Sequence, residues 1–146
     1  VKELSSFINS YNESIDSGEN NLEEIEERLE NVYTDVLRII KKNKPEVLAI
    51  EELFFGNNAK TAFAVGQARG VILLAASQNN LKTEVYNPLE VKIALTGYGK
   101  AEKAQIGQMV KIILKLKEIP KPDDTADALA VALTYAFSSK LRQKTK

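Results

Sequence analysis

Apolar side chains recur every three or four positions along several stretches of the chain and run together without interruption in one. Leu22, Ile25, Leu29, Val32, Val36 and Ile39 form the first stripe, which predicts an amphipathic helix over 22–43. Asn21 and Glu24 have the spacing of a capping box at its start. Lys41, Lys42 and Lys44 suit the negative end of its dipole, and Pro45 stops it. The run Val47-Leu-Ala-Ile50 follows directly and reads as a strand covered on both faces, as inside a mainly parallel sheet. Residues 59–77 read as a helix of small side chains, with Ala62, Gly66 and Gly70 four apart. Each helical glycine costs about 1 kcal/mol relative to alanine, which close approach of a sheet or a second subunit would offset. A strand over 82–86 precedes Asn87-Pro88, where Pro at the first helical position and Glu90 mark a short capped helix. Thr96-Gly-Tyr-Gly99 is a loop, and Ile106, Met109, Val110 and Ile113 predict a helix over 101–116. Beyond the stiff Ile119–Asp123 connector, a last helix runs over 124–137 with Ala126, Leu129, Ala130, Leu133 and Phe137 inward. One or two weak edge strands are expected within 1–20. The reading is a single α/β domain over 1–146.

Composition narrows the chemistry. The 146 residues include no Cys and no His. Disulfides, thiolate nucleophiles, zinc-thiolate sites and Ser-His mechanisms are therefore excluded. What remains is carboxylates, lysines, hydroxyls, or a metal held by oxygen. The 44% apolar content suits a packed core and rules out wholesale disorder. Apolar runs are too short to span a membrane and no signal peptide stands at the start, so the expected location is the cytoplasm. Zero net charge conceals an asymmetry: residues 1–52 carry seven more acids than bases, and residues 53–146 seven more bases than acids. A basic half favours a polyanion such as nucleic acid; a solvated lysine-rich surface explains the same numbers.

Three acids stand out. Asp124 and Asp127, three apart, share one face of the last helix, and Glu51 ends the apolar strand. If that strand end meets the start of the helix, three carboxylates converge, and hard divalent cations take oxygen ligands of this kind. Paired metals can then activate water and stabilise the leaving oxygen in phosphodiester hydrolysis. Acids in a first helical turn also serve as caps with no chemistry attached. Lys60, Arg69, Lys92, Lys100 and Lys103 surround the acids in sequence. Phe54 and Phe55, in a loop-like segment, either anchor it or stack against bases.

Five successive segments resemble the RuvC Holliday-junction resolvases: Glu51-Glu-Leu-Phe-Phe55, Val65-Gly-Gln-Ala-Arg-Gly70, Val91-Lys92, Gly97-Tyr-Gly-Lys-Ala-Glu-Lys103 and Pro122-Asp-Asp-Thr-Ala-Asp-Ala-Leu-Ala130. The resemblance runs in order from about Glu24 to Phe137. It implies an RNase H-like fold, a mixed sheet flanked by helices, working as a homodimer that nicks two strands of a four-way DNA junction with Mg²⁺ or Mn²⁺. It implies catalytic, metal-binding roles for Glu51, Asp124 and Asp127, and an aromatic at Phe54 inserted near the junction centre. Lys92 and Lys103 match DNA-contacting residues, the Gly66/Gly70 helix matches the dimer-packing region, and a branch-migration motor complex is an implied partner.

The family's first strand, with a fourth carboxylate in an Ile-Asp-Pro-Gly motif and a Gly-Tyr-Gly turn after it, is absent from this sequence. Asp16 and Glu3 lie outside any such motif and do not replace that acid. The chain begins at Val1, so the expectation is a nuclease cropped at its N-terminus. The alternatives are a binder of branched DNA that has lost cleavage, and a scaffold whose acids are only caps.

Overall fold

The computed structural model of the chain describes residues 22–52 and 59–144. Asn21, the edge strands expected within 1–20, and Phe54 lie outside the described residues. The elements are α1 (Leu22–Asn43), β1 (Val47–Glu51), α2 (Ala59–Gln78), β2 (Lys82–Tyr86), α3 (Pro88–Thr96), α4 (Lys103–Ile113) and α5 (Asp123–Lys144). β1 and β2 pair in parallel, with Lys82 N–H donating to the Glu46 carbonyl at 3.3 Å and Glu52 N–H to the Tyr86 carbonyl at 2.8 Å. Among the described residues β1 has this one neighbour. Val47–Ile50 is accordingly half-buried, short of the full coverage that its apolar run predicts.

Internal contacts divide the chain into two compact units. The first contains α1 and α2, which pack on each other. Val32 of α1 and Ala68, Ala75 and Ala76 of α2 are buried there. Arg28 Nη2 donates to Gln67 Oε1 at 3.4 Å, and the Tyr33 hydroxyl to Gln78 Oε1. The predicted stripe of α1 needs one correction. Leu22 is 65% exposed, because it opens the helix more than a turn before the Arg28–Gln67 contact. A Cβ placed on Gly66 or Gly70 meets nothing within 4 Å, so no backbone among the described residues closes on either glycine. Phe63 and Leu74 of the same helix are exposed.

The second unit holds Ala49–Glu52 and the described residues from Glu84 onward. Asn87 caps α3 as its sequence predicts: its side chain accepts from Glu90 N–H at 2.9 Å, and Glu90 Oε2 accepts from Asn87 N–H at 2.8 Å. Gly97, at φ 72°, ends the helix in the left-handed region that a side chain there would strain. α4 is shorter than its apolar period. Gln105 Oε1 accepts from Glu102 N–H at 2.8 Å at one end. A left-handed Lys115 lets Leu116 N–H reach the Lys111 carbonyl at 2.9 Å at the other. α5 continues past its predicted end to Lys144.

Tyr86, Val91, Leu95, Ala101, Ile106, Val110, Ala130 and Val131 form the core of this unit. Gly107 admits Ile119, whose Cγ2 would lie 3.1 Å from an added Cβ. Two threonines of α5 are buried with the core. The Thr134 hydroxyl donates to the Ala130 carbonyl at 2.8 Å, while the Thr125 hydroxyl has no hydrogen-bond partner among the described residues.

Candidate active site

Within the second unit, four elements bring polar side chains to one pocket of about 180 Å³. β1 ends in Glu51, α3 supplies Lys92, α4 begins with Lys103, and α5 supplies Asp127. Val91, Ile106, Ala130 and Val131 make the apolar wall. Those four belong to the core cluster, so the walls that hold the charges are the ones that hold the unit together.

Lys103 lies among the acids. Its Nζ is 3.0 Å from Asp127 Oδ2 and 4.0 Å from Asp124 Oδ1. The hydrogen bond to Asp127 raises the lysine pKa against a smaller opposing effect of burial. The fields of Asp127, Asp124 and Asp123 add to that rise. A cation at the first position of a helix faces the positive end of the dipole, and these acids compensate it. The spacing from 103 to 127 hides this ion pair in the sequence.

The Glu51 carboxyl is pushed above the usual carboxylate range, first by burial and then by Asp127, with Lys103 pulling the other way. A carboxyl with a raised folded-state pKa supports the fold while protonated. The support is whole below the unfolded-state pKa and is lost as pH rises through the folded-state value. At neutral pH the charged Glu51 therefore costs stability. Glu51→Gln should raise Tm at pH 7 and give no gain at pH 3. An equal gain at both pH values would remove charge as its cause.

The expected convergence of three acids is thus met by the following arrangement. Glu51 and Asp127 share the pocket, and Asp124 lies outside its lining but within 4.0 Å of the Lys103 ammonium. Of the basic residues near the acids in sequence, Lys92 and Lys103 line the pocket, Lys100 is exposed away from it, and Arg69 belongs to the other unit. Phe54, expected to touch DNA, is outside the described residues. Sequence reasoning did not identify the apolar wall as part of the site. Its residues read as ordinary core, which they also are.

The family model described as crossover junction endodeoxyribonuclease RuvC matches residues 10–135. A crossover junction endodeoxyribonuclease RuvC of Fusobacterium nucleatum is 60% identical over 118 residues, 80% of this chain and 62% of that protein. The Halothermothrix orenii RuvC is 54% identical over 118 residues, 81% of this chain and 72% of that protein. The structure of Thermus thermophilus RuvC in complex with Holliday junction substrate superposes with a TM-score of 0.75 at 42% identity. It covers 79% of this chain and 70% of that one. A second Thermus thermophilus RuvC structure gives 0.74 at 41% identity, covering 80% and 70%. The fold is therefore α/β and RNase H-like. The chain is a member of the RuvC family of crossover junction endodeoxyribonucleases. It spans 62% of the length of the Fusobacterium relative.

The divalent cation that the resemblance implies suits the donors in kind, since carboxylate oxygens are hard ligands. It does not suit their arrangement. Among the described residues no group of three or more carboxylates is placed to hold a metal ion, and the Lys103 ammonium stands 3.0 Å from Asp127 and 4.0 Å from Asp124. No described helix is long and apolar enough to cross a membrane.

Proposed function

We propose that this chain belongs to a structure-selective endodeoxyribonuclease that resolves four-way DNA junctions in recombination and repair, in the cytoplasm. The observation that carries the reading is one pocket in which Lys92 and Lys103 stand beside Glu51 and Asp127. Cations alone bind a DNA backbone, and acids alone repel it. A phosphate brought to acids by flanking lysines is the arrangement that hydrolysis requires. The complex of the Thermus thermophilus relative with Holliday junction substrate supports the choice of ligand.

In this proposal Lys92 and Lys103 receive the scissile phosphate and offset its charge, and Glu51, Asp124 and Asp127 are the catalytic carboxylates. No step is assigned to Mg²⁺ or Mn²⁺, because the described acids are not gathered for either. The enzyme acts as a homodimer with two sites on a two-fold junction. Support for the dimer is the exposed face of α2, where Phe63 and Leu74 flank Gly66 and Gly70 and nothing among the described residues fills the space above the glycines. A branch-migration motor is the partner that the family resemblance suggests. A second reading, a binder of branched DNA without cleavage, is favoured by one observation, the engagement of the acids by Lys103.

A labelled four-way junction and a linear duplex of the same sequence test these readings. The chain should bind the junction preferentially, with log affinity falling linearly with log salt. Equal affinity for the two DNAs would overturn both readings. On the whole gene product containing this sequence, symmetric nicks with Mg²⁺ or Mn²⁺ support the nuclease, and tight binding without nicks supports the binder.

A further inference from the structure

We propose that Tyr98 is a specificity-determining residue, a fixed aromatic platform that stacks on a base left unpaired at the crossover and so favours branched DNA over continuous duplex. The inference rests on the junction-DNA reading of the neighbouring pocket and names a residue that selects the shape of the substrate.

Three observations carry it. The first is a fixed backbone under an exposed ring. Tyr98 is 58% exposed, yet its N–H donates to the Thr96 hydroxyl at 3.1 Å and its carbonyl accepts from Ala101 N–H at 3.2 Å. On either side of it, Gly97 N–H donates to the Ile93 carbonyl at 2.8 Å, and Gly99 lies close against α3. A Cβ added to Gly99 would stand 2.5 Å from Leu89 Cδ1. A side chain held on such a backbone gives up little freedom on binding. The second is charge. The Thr96 hydroxyl donates to the Lys92 carbonyl at 2.8 Å, which bonds the loop to the turn that supplies Lys92, and Lys103 opens α4 at the other end of the loop. Both lysines line the pocket, Lys100 of the loop is exposed, and Glu102 is the one acid between Val91 and Ala104. The third is the surface beside the ring, where Leu89 and Ile93, one turn apart on α3 and next to Gly99, are also exposed. An aromatic ring on an apolar surface, bordered by cations, matches the two parts of a nucleotide, its flat base and its charged backbone. A continuous duplex offers this loop its backbone and keeps its bases stacked. A four-way junction interrupts the stack at the crossover and frees a base face for the ring.

Gel-shift titration of the 146-residue chain with a labelled four-way junction, and with a linear duplex of the same sequence, tests this. Tyr98→Leu should bind the junction about tenfold more weakly than the unmodified chain and bind the duplex equally well. The slope of its log affinity against log salt should stay the same, because no ammonium is removed. Tyr98→Phe, which keeps the ring, should bind both DNAs as the unmodified chain does. The thermal midpoint of Tyr98→Leu should not fall, since the side chain stands largely in water. Unchanged junction affinity in Tyr98→Leu overturns the proposal and leaves this surface to a protein partner. An equal loss on both DNAs overturns it in favour of a backbone contact, and a loss shared by Tyr98→Phe in favour of a hydroxyl contact. A lowered thermal midpoint overturns it in favour of a role in folding. The unmodified chain's own preference for the junction is read in the same titration, and only its absence would overturn the junction reading as well.

Discussion

Asp127→Asn should lower junction cleavage by the whole gene product about a hundredfold or more, with junction affinity unchanged or slightly improved. Asparagine keeps the size of the side chain and one acceptor oxygen but removes the negative charge. In the structure that charge does two things. It holds the Lys103 ammonium at 3.0 Å and it raises the Glu51 carboxyl. The substitution therefore disturbs three groups of one pocket while leaving its apolar wall intact. Affinity should not suffer, since a pocket with one acid fewer repels the DNA backbone less. The measurement is single-turnover nicking of a labelled junction beside a gel-shift titration of the same DNA. Cleavage within about threefold of the unmodified enzyme would exclude Asp127 from the chemistry and leave it the ion-pair partner of Lys103. Loss of affinity in parallel with cleavage would assign it to folding instead.

Much of the framework was legible because local rules decide it. The helix over 22–43 and the strand over 82–86 are found at the boundaries that periodicity and punctuation predict. The Asn87–Glu90 capping box forms with both of its hydrogen bonds. Long-range facts were less legible. That β1 is half-buried depends on how many strands pair with it, which no run of apolar residues reveals. The end of α4 is set by left-handed Lys115, a conformation with no mark in a lysine's chemistry. The site was partly legible. A strand-ending Glu51 and a helix-starting Asp124 and Asp127 indicated where acids would meet, and Glu51 and Asp127 do share a pocket. What sequence could not give was the ammonium among them. Lys103 and Asp127 are joined only through the packing of α4 on α5.

That packing is also where the fold is most sensitive. Val110 on α4 is fully buried in the cluster formed with Ile106, Ala130 and Val131. Val110→Ala should lower unfolding stability by about 2 kcal/mol, from the lost methyl groups and the cavity they leave. Val110→Asp should cost more than about 4 kcal/mol, because a carboxylate there would be buried without a partner. Against a total of about 5–15 kcal/mol for a domain, the aspartate variant should be largely unfolded at 37 °C. The consequence for the site follows from its walls. Ile106, Ala130 and Val131 both contact this core and line the pocket, so loosening α4 against α5 separates Lys103 from Asp127. Urea titration followed by far-ultraviolet circular dichroism gives the stabilities, and junction binding gives the functional readout. The alanine variant should keep its affinity at 25 °C and lose it at a lower urea concentration, in step with unfolding. A Val110→Asp protein that unfolds at the unmodified urea midpoint would show that α4 is not packed as the structure places it.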